Sequence, residues 1–349
     1  MKKILIRVVL ILGSIVIGMP LLFIALLQLT DYAPPLVQTI YQNTDPTETL
    51  QSDTLQLISW NIGYAGLGDD MDFFYDGGTQ VRTTPNRTTQ NLDLISQWLR
   101  SNNADFILLQ EVDFNSKRSY YINQKIKFKN VYTTKHHIDF IYNYNVCYIP
   151  FPITNPLGKI ESGLLNISNI KPIESKRHSY DISYSWPKKL WMLDRGFMAQ
   201  KFNTKTGEEL CIINTHNTAF DKGEIRKREV QQLLQYAISL YENGTFVVIA
   251  GDFNQVPAKE LLNQGISNEF YVVTQIDTTF IPLGWNISYD KNTPTNRSLN
   301  TSDSTLWETA IIDFVISSPN IVPLKVETSD LQFQTSDHNP VKFYFTLIK

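Results

Sequence analysis

Five places along the chain put Asn, Asp, Glu or His where an apolar run stops, and these are side chains that bind hard cations and move protons. The most legible is Ile249-Ala250-Gly251-Asp252-Phe253-Asn254. The apolar run over residues 246–250 has the length and β-branched content of a buried strand. Past Gly251 a carboxylate and an amide stand two positions apart, and in extended backbone such positions face the same way. Asp252 can hold a metal or polarise a water. Asn254 can hold a phosphoryl oxygen without a charge that repels it. Gly-Asp and Asn are also ordinary turn residues, so this exit alone is equally well a turn.

The other exits change that balance. A strand predicted over 55–60 ends at Asn61, one over 106–109 ends at Gln110-Glu111, and one over 210–214 ends at Thr215-His216-Asn217. Asp313 lies inside the apolar run 310–317, where an unpaired charge would be costly to bury. Ser336-Asp337-His338-Asn339-Pro340 precedes a last strand, Val341–Leu347, with apolar residues at alternate positions. Together these types contain what metal-assisted phosphoester hydrolysis needs: oxygen ligands for a hard cation, a group to orient and deprotonate water, and donors for the developing negative charge. Blander readings stand beside this one. Asn61 and Asp337 could each merely cap a turn, Arg195 could make a structural salt bridge or contact phosphate, and His136-His137 reads as a solvated loop pair.

The elements that must position these residues come in two strand–helix–strand units. The first joins 55–60 to 106–109 through an amphipathic helix over Pro85–Asn102, with Leu92, Ile95 and Leu99 on one face. The second joins 210–214, the far strand of a hairpin with 197–202, to the Asp252 strand. Its helix carries Val230, Leu233, Leu234, Ala237, Ile238 and Tyr241 at helical spacing. Ligand sites in open α/β sheets gather at such strand ends. Residues 114–193, rich in Tyr, Asn and Lys, yield only short strands at 146–149 and 163–167, and their aromatic residues could line a cleft or simply pack. Residues 274–309 read as loop.

With 349 residues, 42% hydrophobic and 19% charged, the chain is globular in composition, and its net charge of −3 offers no bulk basic surface for nucleic acid. Two cysteines, Cys147 and Cys211, cannot build a disulfide framework or a structural zinc cluster. Residues 1–29 read as a cytoplasmic stub and transmembrane anchor, since the apolar run 4–29 carries only Arg7 as a charge. The run exceeds the roughly 7–15 apolar residues of a signal peptide; secretion after cleavage is the alternative. Lys2, Lys3 and Arg7 place the N-terminus in the cytoplasm and the rest of the chain outside the cytoplasmic membrane. Residues 30–53, with Pro34, Pro35 and Pro46, read as a flexible tether, and residues 54–349 as one catalytic domain.

Trp60-Asn61-Ile62, Gln110-Glu111-Val112, Thr215-His216-Asn217, Gly251-Asp252-Phe253-Asn254, Ile312-Asp313-Phe314-Val315 and Ser336-Asp337-His338-Asn339-Pro340-Val341 resemble, in order and local sequence, the endonuclease/exonuclease/phosphatase superfamily. That group includes pancreatic-type deoxyribonucleases, neutral sphingomyelinases and inositol polyphosphate 5-phosphatases. The resemblance implies an α/β (α+β) fold, a four-layer sandwich of two packed, mainly antiparallel β-sheets flanked by helices. It also implies a Mg2+-dependent phosphodiesterase or phosphatase, with Mn2+ as a substitute ion. Glu111 would be the principal metal ligand, with Asn61 and Asp337 on the metal side. Asp252 would activate water, Asn254 would hold a phosphate oxygen, and His338, oriented by Asp313, would be the acid/base or polarising imidazole. His216 matches the histidine of the deoxyribonuclease and phosphatase branches. Arg195 is a weaker candidate for phosphate. The substrate stays open among phospholipid head groups, phosphorylated small molecules and nucleic acids, and no obligate protein partner is implied. An extracytoplasmic DNA or RNA endonuclease and an inactive binding module with this fold are the competing readings.

Overall fold

Two sheets stack face to face in the computed structural model, which describes residues 2–44, 48–132, 136–182, 184–221, 223–264, 266 and 272–348. In the first sheet, β1 (Val37–Gln42), β7 (Glu174–Ser179), β8 (Gly196–Thr204), β9 (Glu209–His216), β10 (Phe246–Asp252), β16 (Asp313–Ser317) and β13 (Asn286–Ser288) lie in that order, with β2 (Thr49–Leu50) beside β8. The second sheet runs β17 (Ile321–Thr328), β18 (Val341–Leu347), β3 (Thr54–Asn61), β4 (Phe106–Asp113), β6 (Gly158–Ser168), β5 (His137–Ile149). Two-stranded ribbons, β11 (Gln255–Val256) with β12 (Thr274–Gln275) and β14 (Asn296–Arg297) with β15 (Thr309–Ala310), sit at the edges. Pairing is antiparallel except for β3–β4, β9–β10, β2–β8 and β11–β12.

The order of layers follows from which face of each strand is apolar. Leu55, Leu57, Phe106 and Phe343 of the second sheet meet Phe202, Ile212, Val248 and Val315 of the first in the central core. The outer face of the second sheet (Ile58, Trp60, Ile107, Leu109) is covered by α2 (Pro85–Asn102) through Leu92, Ile95 and Leu99, and by Phe128 of α3 (Gln124–Val131). The outer face of the first (Cys211, Ile213, Val247, Ile249) is covered by α4 (Glu224–Glu242) through Val230, Leu233 and Ala237. Each such side chain, fully buried, contributes about 1.5–3 kcal/mol. Helix α2 starts where the sequence marks it: Thr84 accepts a hydrogen bond from the Arg87 amide, Pro85 opens the first turn, and Asn103 closes the helix in left-handed conformation.

Apolar packing alone would let the sheets slide. A chain of amides crosses the interface and fixes them. Gln110 Nε2 donates to Asn214 Oδ1 (2.8 Å), Asn214 Nδ2 to Asn166 Oδ1 (2.7 Å), Asn166 Nδ2 to Gln200 Oε1 (2.9 Å), and Gln200 Nε2 to Asp139 Oδ2 (2.8 Å). The series alternates between strands of the two sheets, and its members are buried.

Several expectations are revised. Residues 37–42 are not loose tether but edge strand β1, paired from Val37↔His178 to Gln42↔Glu174, and β2 also falls within 30–53. Strand β1 buries none of its residues fully, so no apolar run signals it, and the prolines at 34 and 35 end just before it. Pro46 lies outside the described residues. The short strands read at 146–149 and 163–167 are parts of long β5 and β6, whose pairing is broken by bulges. The run 310–317 divides into β15 and β16.

Replacing Asn214 with Leu removes the acceptor of Gln110 Nε2 across the interface and the donor to Asn166 Oδ1, at about 1–3 kcal/mol for each buried hydrogen bond lost. Thermal unfolding of the full chain in detergent is expected to show a loss of about 3 kcal/mol; an unchanged midpoint would mean that the amides do not register the sheets.

Candidate active site

Parallel pairing of β9 with β10, and antiparallel pairing of β10 with β16, set His216, Asp252 and Asp313 side by side as register partners. Gly251 makes the approach possible. A Cβ there would lie 2.0 Å from the Thr215 carbonyl oxygen, and its φ is +154°. In the second sheet, β3 ends at Asn61 opposite Gln110, with Glu111 next in β4, and His338 stands three residues before β18. Glu111 occupies the bulge between Leu109 and Val112 with φ +54°, and Asn254 has φ +52°. Such backbone in non-glycine residues costs of order 1–3 kcal/mol and clusters at functional sites. Asn254 therefore shares the site with Asp252 through a sharp turn, not through the extended i, i+2 alternation.

Asn61, Glu111, Arg195, His216, Asp252, Asn254, Asp337 and His338 all line one cavity of about 510 Å³. Asp313 stands behind it, its Oδ2 2.7 Å from His338 Nδ1. Asp252 Oδ2 accepts from Asn61 Nδ2 (3.0 Å) and lies 3.4 Å from His216 Nε2 and 3.7 Å from His338 Nε2. Asp252 Oδ1 accepts from the Asn254 amide (2.9 Å), and Asn254 Nδ2 donates to the Asn217 carbonyl (2.9 Å). Among the described residues Arg195 makes no carboxylate salt bridge, its Nη1 donates to the His216 carbonyl at 3.0 Å, and its buried Nε has no hydrogen-bond partner.

The two histidines are driven apart. Burial pulls His338 down, but Asp313, Asp252 and Asp337 outweigh it and push the ring up to about 10. Burial, then Arg195 and the His338 charge, hold His216 well below the ordinary histidine range. The side-chain amide of Asn296 lies 3.0 Å from His338 Nε2 and serves either state of that ring: its NH2 donates to a neutral Nε2, its oxygen accepts from a protonated one. Burial first, then Asp313, raise the Asp252 carboxyl above its usual range, opposed by His338 and the Asn61 hydrogen bond. Burial and then Glu111 raise Asp337, against His338, to about 6.

Other residues at the site carry no sequence signal. Arg118 is buried beside Asp113 (3.0 Å) and Glu111 (3.5 Å), with its guanidinium 3.7 Å from the centroid of the Tyr64 ring. Arg297 is fully buried, with Nη1 and Nη2 donating to backbone carbonyls. Arg118 sits in a short turn after β4 and Arg297 in the two-residue strand β14, both too short for apolar periodicity to register. A charged residue close in sequence to a strand exit, as Arg118 is to Asp113, is the only hint available.

A family model described as the endonuclease/exonuclease/phosphatase family matches residues 58–338. No curated protein sequence matches the chain. Among solved structures, an endonuclease/exonuclease/phosphatase from Beutenbergia cavernae is similar at 14% identity and TM-score 0.56, over 85% of this chain and 72% of that one. ANGEL2, a 2',3'-cyclic phosphatase in complex with adenosine-2',3'-vanadate, is similar at 16% identity and TM-score 0.55, over 86% of this chain and 97% of that one. The human Nocturnin catalytic domain with bound sulfate is similar at 16% identity and TM-score 0.54, over 87% of this chain and 100% of that one. At these identities the likeness is one of fold, and it matches the sandwich that the resemblance implies.

His338 and Asp313 are expected to act as a unit. His338→Ala, Asp313→Ala and the double variant should lose similar amounts of phosphodiester turnover, far short of additivity. Losses that add in log rate would show that the residues work separately.

Proposed function

The chain belongs to the endonuclease/exonuclease/phosphatase family, and from that membership we propose that it is a membrane-anchored, divalent-cation-dependent phosphoester hydrolase in which water attacks phosphorus in line with the leaving group. The observation that carries this reading is one cavity wall that sets Asp252 Oδ2 3.4 Å from His216 Nε2 and 3.7 Å from His338 Nε2, with Asp313 Oδ2 2.7 Å from His338 Nδ1, an arrangement that pushes the His338 ring and the Asp252 carboxyl up and the His216 ring down. Groups whose proton affinities are pushed apart in one pocket divide acid and base work between them.

Asp252 takes the proton of the attacking water. Its raised basicity suits a general base, and hydrogen bonds from Asn61 and the Asn254 amide hold its two oxygens in place. His338, positively charged and oriented by Asp313, donates to phosphoryl or leaving-group oxygen. Neutral His216 offers a further donor, and Arg195 adds positive charge along the same wall. Asn254 holds a phosphate oxygen, its side chain braced by Asn217.

Glu111, Asn61 and Asp337 are the residues that would hold a Mg2+ ion, or Mn2+ in its place, and they suit it. Gly63 leaves the room Asp337 needs, since a Cβ there would lie 2.8 Å from Asp337 Oδ1. Burial first, and then the Glu111 charge, raise Asp337, and a hard cation with oxygen ligands relieves both. The tighter group Asp252, Asp313 and His338, with ligand atoms within 4.8 Å of one another, suits it poorly, because His338 Nδ1 is engaged by Asp313 Oδ2 at 2.7 Å and its Nε2 by the Asn296 amide at 3.0 Å. A bound cation would supply Lewis-acid polarisation of the phosphoryl oxygen.

Helix α1 (Lys2–Leu29) has mean hydropathy 2.7 over its most apolar window and is long enough to cross a membrane. Its basic residues at the start support a cytoplasmic N-terminus and a catalytic domain outside the cytoplasmic membrane. Protease added to spheroplasts should then remove the domain, and an alkaline wash should leave the chain in the membrane fraction. Protection from protease would reverse the orientation, and a shortened chain in the medium would indicate signal cleavage.

Hydrolysis of bis-p-nitrophenyl phosphate by the full chain in detergent, with Mg2+ and with EDTA, tests the chemistry. Chelation should abolish turnover, and Glu111→Gln should lower it at least ~100-fold, about 2.7 kcal/mol of barrier. Near-normal rates in EDTA would sink the metal-assisted mechanism.

A further inference from the structure

The last turns of α1 do not stand clear of the domain. Leu27 is buried in a cluster with Val146, Ile149, Leu157, Ile160 and Leu190, and Phe23 and Ile24 pack against it. The Phe23 ring meets Tyr148 edge-on, and Thr30 Oγ1 contacts Cys147 Sγ at 3.1 Å. Ile149 and Leu157 also line the catalytic cavity, as do Tyr144 and Trp191, which pack on the same cluster. One layer of side chains thus separates the foot of α1 from the cavity.

Around that foot, large apolar side chains face outward. Phe151 is 56% exposed, Ile153 80% and Trp186 60%. Phe151 is tied to the cluster through its carbonyl, which accepts from the Tyr75 hydroxyl and the Leu157 amide. Trp186 directly precedes the short segment that carries Lys188, Lys189 and buried Leu190 to α1. Apolar side chains with Trp, Tyr and Lys beside a helix of membrane-spanning length have the composition of a bilayer interface.

We propose that this face rests on the bilayer crossed by α1, with the Phe151–Ile153 loop and Trp186 at headgroup depth, and that the cavity takes a phosphoester carrying a lipid tail, whose apolar part lies along the Ile149–Leu157–Trp191 wall. This rests on the hydrolase reading above and names its substrate class. Continuity with α1 selects the bilayer as occupant, because Leu27 belongs at once to the apolar helix and to the packing behind the cavity.

The test reconstitutes the full chain into phosphatidylcholine vesicles and compares two probes with one leaving group: water-soluble bis-p-nitrophenyl phosphate, and dioleoyl-phosphatidyl-p-nitrophenol within the vesicles. The lipid probe should be cleaved at least ~10-fold faster at equal bulk concentration. The double substitution Phe151→Asp, Ile153→Asp should lower the lipid rate at least ~5-fold and leave the soluble rate unchanged. Brominated lipids should quench tryptophan fluorescence, with a component lost in Trp186→Phe. Cleavage of the soluble probe alone overturns the lipid substrate while the hydrolase reading stands. Cleavage of neither probe overturns both. Equal loss of both rates in the double variant, or quenching unaffected by Trp186→Phe, overturns the bilayer contact.

Discussion

The amide chain from Gln110 to Asp139 is the interaction on which the site depends. The candidate site residues come partly from the first sheet (His216, Asp252, Asp313) and partly from the second (Asn61, Glu111, with Asp337 and His338 before β18). Apolar packing between sheets is non-directional and tolerates small slides. Buried amides do not, because a displaced donor loses its partner inside a medium that offers no substitute. The 3.0 Å contact of Asn61 with Asp252, made across the two sheets, exists because their mutual position is fixed further in.

Within that frame the electrostatics are self-limiting. Asp252, Asp313 and Asp337 are all nearly inaccessible to solvent. His338 is the cation among them: burial makes Asp252 and Asp337 more basic, and the neighbouring carboxylates make the imidazole cationic against the pull of burial on the ring itself. Site chemistry and site stability are therefore one set of interactions. A substitution that removes the histidine leaves negative charge without compensation.

The two strand–helix–strand units and the polar residues at their strand ends were legible in the sequence for one physical reason, while the sandwich followed only from the resemblance of the motifs to a known family. Buried strands read as apolar runs, and a polar residue at the end of each run marks the sheet edge. Asp313 was legible for the converse reason, a charge inside an apolar run. What escaped was structure held by polar contacts. Edge strand β1 has no apolar run because none of its residues is fully buried. Arg118, Asn296 and Arg297 are buried by hydrogen bonds and ion pairs with segments distant in sequence, and no local periodicity records such contacts. The left-handed turn at Asn254 escaped too, since Gly-Asp-Phe-Asn is compatible with straight or bent backbone.

Strand β1 has a mechanical consequence. Because it is hydrogen-bonded to β7, the chain between α1 and the sheet shrinks to residues 30–36, whose fully extended reach is only ~25 Å, and the Pro35 and Leu36 carbonyls accept from Ser179. With α1 in a bilayer and its foot packed on the domain, the domain would be held at the surface, and its search for anything embedded in the membrane would become two-dimensional, governed by lateral diffusion and surface density. For such an enzyme bulk concentration is the wrong variable, and saturation would track mole fraction in the membrane.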